Sequence, residues 1–177
     1  MTDPSDWADA YIEQARADLA AAEFLDGQHL SVLGMLLQMT FEKIAKAALL
    51  YGSRISVEDT QKGHRSALSL MKIFKDVPFL LERVTGTPPD PWHAVVVTVE
   101  NLTRFHPQVS ESGPCLEYPW HSDTEGEIRW PERDLTPALR SLFNTENQHL
   151  GRLPDVFRFA HMLCDSAGEV FHSRPPK

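Results

Sequence analysis

The chain has 177 residues, 42% of them hydrophobic and 24% charged, with a formal net charge of -8. A chain of this length buries about two-thirds or more of its unfolded surface, so it can build a core without disulfides. The composition is that of a soluble globular chain, and the acidic balance disfavours broad non-specific nucleic-acid binding.

Cys115 and Cys164 are far apart and lack a CxxC spacing. They read as free thiols of a reducing cytoplasm. The N-terminal "MTDPSDWADA" has neither the basic nor the apolar region of a signal peptide. The apolar run from Leu30 to Leu50 is interrupted by Gln38, Glu42, Lys43 and Lys46, which fits a core helix better than a membrane span. A cytoplasmic protein without membrane contact is the expectation.

In chain order, Asp6 is placed to cap a first helix beginning near Trp7. Tyr11, Ala15, Leu19, Ala22 and Phe24 or Leu25 recur at helical spacing, and Gly27 is the expected stop. A second helix is predicted from about Leu30 to Leu50. Leu30, Leu33, Leu37, Phe41, Ile44 and Ala48 form its apolar stripe, with Val32, Met35, Leu36 and Met39 widening it to two buried sides. The two helices predict an antiparallel hairpin. "SRISVEDTQKG" reads as a polar loop, and a third helix is predicted from His64 or Ser66 to Phe74, with Pro78 as a breaker. After the linker "GTPPDP", a fourth helix is predicted from Trp92 to Arg104.

Residues 107–131 are rich in Pro, Gly, Ser and aromatics. "CLEYPW" and "EIRW" flank the turn-like "HSDTEG" and predict a β-hairpin insertion. Helical texture returns at Leu135–Phe143, and a last helix is predicted from Pro154 to Phe171. The expected fold is an all-α, up-and-down bundle of five or six helices. It spans residues 1–177 as a single domain, with the small hairpin inserted.

The segment Ala15–Leu70 resembles a HEPN domain (higher eukaryote and prokaryote nucleotide-binding). The pattern A-x-x-D-L-x-x-A is met by Ala15, Asp18, Leu19 and Ala22. Q-x-x-x-E-K-x-x-K-A on the second helix is met by Gln38, Glu42, Lys43, Lys46 and Ala47, and His64 opens the third helix. "LTRFHP", Leu102 to Pro107, is similar to the family's Arg-aromatic-Pro stretch, with one extra residue before Pro107. The resemblance implies a homodimeric helical bundle. Some members are RNA-cleaving toxins; others pair with nucleotidyltransferases as binding or toxin partners. The ribonuclease members carry Arg, four to six residues, then His. No Arg here meets that spacing: Arg54–His64, Arg83–His93, Arg104–His106, Arg140–His149 and Arg152–His161 all miss.

Glu42 and Lys46 lie four apart in the favourable order, which alone stabilises a helix by about 0.2–0.5 kcal/mol. The alternative has Lys43 and Lys46 presenting cations to a phosphate or to a partner's acidic patch. His64 is either a polar residue at a helix start, bonding a backbone group, or an acid, base or phosphate donor. Arg104 and His106 sit at a helix C-terminus, where cations complement the dipole; otherwise they make a small anion-binding corner. Tyr118, Trp120 and Trp130 lie among Glu117, Asp123, Glu125 and Glu127, which favours packing or a protein interface over base stacking. His93, His106 and His121 lack zinc-ligand spacing, so no metal is expected. With no Gly-rich phosphate loop or Rossmann fingerprint, neither is a cofactor.

Together these features predict a non-catalytic, homodimeric binding module. Glu42, Lys43, Lys46, His64 and Arg104 are its ligand-binding residues, and the partner is a nucleotide or a nucleotidyltransferase-type protein in a toxin–antitoxin-like pair. Two alternatives stand beside it. One is a divergent ribonuclease using His64, Arg104 and His106 as catalytic residues. The other is a regulatory interaction domain that docks through the hairpin.

Overall fold

In the computed structural model, which describes residues 3–26, 28–110, 114–121, 127–143 and 150–172, the first helix starts earlier than predicted. Asp3, not Asp6, is its cap. The Asp3 carboxylate accepts from the Ser5 N–H, and Pro4 takes the first turn, where a missing N–H costs nothing. Helix α1 then runs Pro4–Phe24. The expected stop at Gly27 lies outside the described residues, as do residues 122–126 of the predicted hairpin turn.

Helix α2, Leu30–Tyr51, is the centre of the fold. It packs against α1 and against the later helices α4 (Ser66–Asp76), α6 (Asp90–Thr103), α9 (Thr136–Leu142) and α10 (Leu153–Phe171). Leu33, Leu37, Phe41 and Ile44 are fully buried, as the stripe requires. The widening differs from expectation. Val32 and Met39 are exposed, whereas Gln38, Thr40, Glu42 and Lys46 are buried. The second buried side of α2 is therefore polar, which places charged groups inside the bundle.

Short helices appear where loops or breaks are predicted. "SRISVEDTQKG" contains α3, Val57–Lys62, because the Ser56 hydroxyl accepts from the Asp59 N–H and starts a turn. Pro78 does not end structure; it opens α5, Pro78–Thr85, as a first-turn proline. Gly86, at φ 65°, closes α5 in the left-handed conformation that glycine adopts without strain. The insertion holds α7 (Pro107–Ser110) and an antiparallel pair, β1 (Trp120–His121) with β2 (Ile128–Arg129), in the register Trp120 to Arg129. Pro131 belongs to α8, Pro131–Asp134. The result is ten helices among the described residues and one very small hairpin, an all-α architecture. No helix among them is long and apolar enough to cross a membrane.

The core centres on Phe41, Phe74 and Phe159. Phe159 has ring centroids of Phe41, Phe74 and Trp92 at 6.2, 5.9 and 5.7 Å, within the range where aromatic pairs add to area burial. Gly151, just before α10, comes against α6. Its N–H reaches the Ala94 carbonyl at 3.1 Å and the Thr98 hydroxyl at 2.7 Å.

Candidate functional site

A cavity of about 100 Å³ opens where α2, the turn before α4, and the end of α6 meet. Five of the six predicted residues line it: Glu42, Lys43, Lys46 and His64 of the ligand set, and His106, a catalytic candidate. Arg104 is not among its lining residues. Its guanidinium donates to Glu100 at 3.3 Å on an exposed groove, and Glu100 also receives Lys75. The Lys75 ammonium, then Arg104, hold the Glu100 carboxyl below its ordinary range against the pull of burial.

The charges on α2 are not a solvated edge. Glu42 and Lys46 are only 5% and 6% exposed. Glu42 accepts from the backbone N–H groups of Ser66 (3.3 Å) and Ala67 (3.0 Å). It therefore supplies from another helix the carboxylate that the start of α4 lacks locally, where helix ends favour negative charge. Lys46 lies 3.6 Å from Glu42, an ion-pair distance without a hydrogen bond. Lys43 is paired with Asp18 of α1, which also accepts from Gln14 at 3.1 Å. Two of the four charged marks of the sequence pattern, Asp18 and Lys43, thus neutralise each other across the α1–α2 hairpin.

His64 stacks on His106, with ring centroids 4.4 Å apart and planes within 18°. It makes no hydrogen bond among the described residues, so it does not bond a backbone group at the start of α4. His106 uses both ring nitrogens. Its Nδ1 accepts from the Gln108 N–H at 3.2 Å, and Nε2 lies 3.2 Å from a Glu117 oxygen. The backbone donor at Nδ1 requires the Nε2–H tautomer, which then donates to Glu117. Burial first, then the charge on His64, with Lys46 adding to them and Glu42 opposing, pushes His106 down from 6.5 to about 4. Protonation at Nδ1 would also set two N–H groups against each other, which works in the same direction.

Glu117 reaches this site from the insertion. The Leu116 N–H donates to the Phe105 carbonyl at 3.0 Å, and Leu116 packs over Gly34 of α2. Gln38 is the other residue outside the predicted ligand set. It is 1% exposed, and its Nε2 donates to the carbonyls of Leu102 (2.9 Å) and Thr103 (3.3 Å). Its Oε1 has no partner. The signal for Gln38 is its place: one turn before Glu42 and two before Lys46, on a helix whose neighbours are apolar. Glu117 had no comparable signal, because its role depends on a fold-back across the chain. Tyr11 and Met39 complete the lining. The Tyr11 hydroxyl donates to Thr60, fastening α3 to α1.

Chemically, this is a small site with balanced charges. No group of three or more metal-ligating side chains occurs among the described residues. Its carboxylates hold backbone or imidazole donors, one histidine is locked in a single tautomer, and one imidazole stands without a hydrogen bond. No family model, curated protein or solved structure matches the chain.

Proposed function

We propose that the chain is a HEPN-like, homodimeric binding module that receives its ligand or a partner's side chain in the α2–α4–α6 cavity and does not cleave RNA. One observation carries this reading. The groups of the α2 pattern and its following histidine gather at one cavity, yet their chemistry is mostly committed to holding the fold. Glu42 caps α4, Lys43 meets Asp18, and His106 is fixed between Gln108 and Glu117. A general base must be free to take its proton, and His106 is not. By the same resemblance, the partner is a nucleotide or a nucleotidyltransferase-type protein in a toxin–antitoxin-like pair. Sedimentation at micromolar concentration should give the mass of a dimer; a strict monomer would count heavily against the dimer. Labelled RNA should survive incubation with the wild-type protein as well as with His64→Ala.

The ribonuclease reading draws support from the His64–His106 stack, a pair of imidazoles in contact at a cavity. RNA cleavage by the wild type that disappears in His64→Ala would select it. The hairpin reading draws on the exposure of Tyr118 and Ile128. If Tyr118→Ser with Ile128→Ser left dimerisation and partner binding unchanged, that reading would fall.

A further inference from the structure

We propose that the exposed groove between α4 and the end of α6 docks an acidic peptide segment of a partner protein. An aliphatic side chain of that segment rests on the groove floor, and its carboxylates meet the surrounding cations. The groove is a different face from the cavity, so this docking stands apart from the binding-site reading above.

The groove has a volume of about 480 Å³. Leu68, Lys72 and Lys75 of α4 form one wall, and Glu100 and Arg104 come from α6 and its C-terminal end. Arg65 borders it: its guanidinium donates to the Gln108 carbonyl at 3.3 Å, beside the lining residue Val109. Arg65, Leu68, Lys72 and Lys75 recur every three or four residues, which sets them along one face of α4. At 1.5 Å per residue that stripe is about 15 Å long. Asp76, next along the helix, does not line the groove.

Four cations thus share this face with a single lining carboxylate, on a chain of net charge -8. Gathering like charges disfavours the compact state through self-repulsion. Lys72 offsets none of that for the fold, since it has no hydrogen bond or ion pair among the described residues. Lys75 and Arg104 are both held by Glu100. Two long side chains are therefore ordered before anything docks, which lowers the entropy lost on binding.

Shape and chemistry select the occupant. A stripe of about 15 Å is longer than one phosphate or carboxylate and matches four or five residues of extended chain at about 3.3 Å each. Leu68 and Val109 are half-buried and give the floor an aliphatic character. Among the described residues, no aromatic side chain lines the groove for a base to stack on. The acidic balance of the remaining chain also repels a phosphate backbone that runs past the groove. A short peptide with Asp or Glu on either side of Leu, Ile or Val meets both the floor and the charges.

The test selects a random-peptide display library on the full chain. Enriched sequences should carry Asp or Glu flanking an aliphatic residue. A fluorescent synthetic peptide of the enriched sequence should bind more weakly as salt is raised. Lys72→Glu, which removes no contact of the fold, should weaken it roughly tenfold, and adding Arg104→Glu should weaken it further. Circular dichroism checks that both variants keep the helical fold. Enriched sequences without acidic residues, or equal binding to Lys72→Glu, would overturn the proposal. So would a single-stranded RNA oligonucleotide that binds more tightly than the peptide and is lost in Lys72→Glu, because the groove would then serve a nucleic acid. No enrichment over a blank surface would mean a merely solvated face and would overturn it as well.

Discussion

At residue scale, Glu42 carries more than any other group in the site. Its two oxygens take the first N–H groups of α4, and its charge answers Lys46. Removing one partner of a buried pair leaves the other uncompensated. Glu42→Ala should therefore lower unfolding stability by about 3–5 kcal/mol. Glu42→Gln, which keeps one acceptor, should lose less; urea denaturation measures both. His106 sets a pH dependence. Its folded value of about 4 lies below the unfolded 6.5, so the unfolded chain takes up the proton first as pH falls. The contribution is fully present above about pH 6.5 and is lost between there and pH 4. Between pH 7 and pH 5, the wild type should lose up to about 2 kcal/mol more than His106→Asn. Equal losses would mean that His106 titrates normally. Of these residues, Glu42, Lys43, Lys46 and His64 are visible in sequence because they sit at regular spacing around two adjacent helices. Their roles are not visible. A Glu–Lys pair four apart looks the same on a wet face and in a core, and only the packing of α4 on α2 decides between them.

At the scale of elements, the long helices follow from apolar periodicity, whereas the short ones follow from local chemistry that reads two ways. Pro78 stops one helix and starts the next, since a ring that cannot donate is harmless in a first turn. Ser56 looks like loop composition and is a cap. The close approach of Gly151 to α6 has no sequence signature either. A Cβ at Gly151 would lie 2.7 Å from the Val95 backbone, which no side-chain rotation relieves. Gly151→Ala should cost about 1–3 kcal/mol through this overpacking. The loss should appear as a lower denaturation midpoint without a change in slope.

Over the whole molecule, one hydrophobic cluster joins α1, α2, α4, α5, α6, α9 and α10. Cys164 is buried in it at the α10 face, and burial pushes its thiol up to about 11. Alkylation by a thiolate-selective reagent at pH 8 should therefore be slow in the folded protein and fast once denaturant is added. Rapid labelling of Cys164 in the native state would mean that this part of the bundle opens easily. The all-α class is legible in the sequence because it is the sum of many periodic segments. The cavity is not, because it needs Gln38, His64, His106 and Glu117 from four separate stretches, the last arriving through a fold-back over Gly34.

The Glu42 carboxylate is at once a wall of the cavity and the acceptor for the Ser66 and Ala67 N–H groups. Those two amide protons are therefore built-in reporters. Whatever enters the cavity and steadies Glu42 slows the local opening of α4's first turn, and with it the exchange of those two protons for deuterium. Occupancy of the site is thereby written into the backbone, where it can be read by someone who does not yet know what the ligand is.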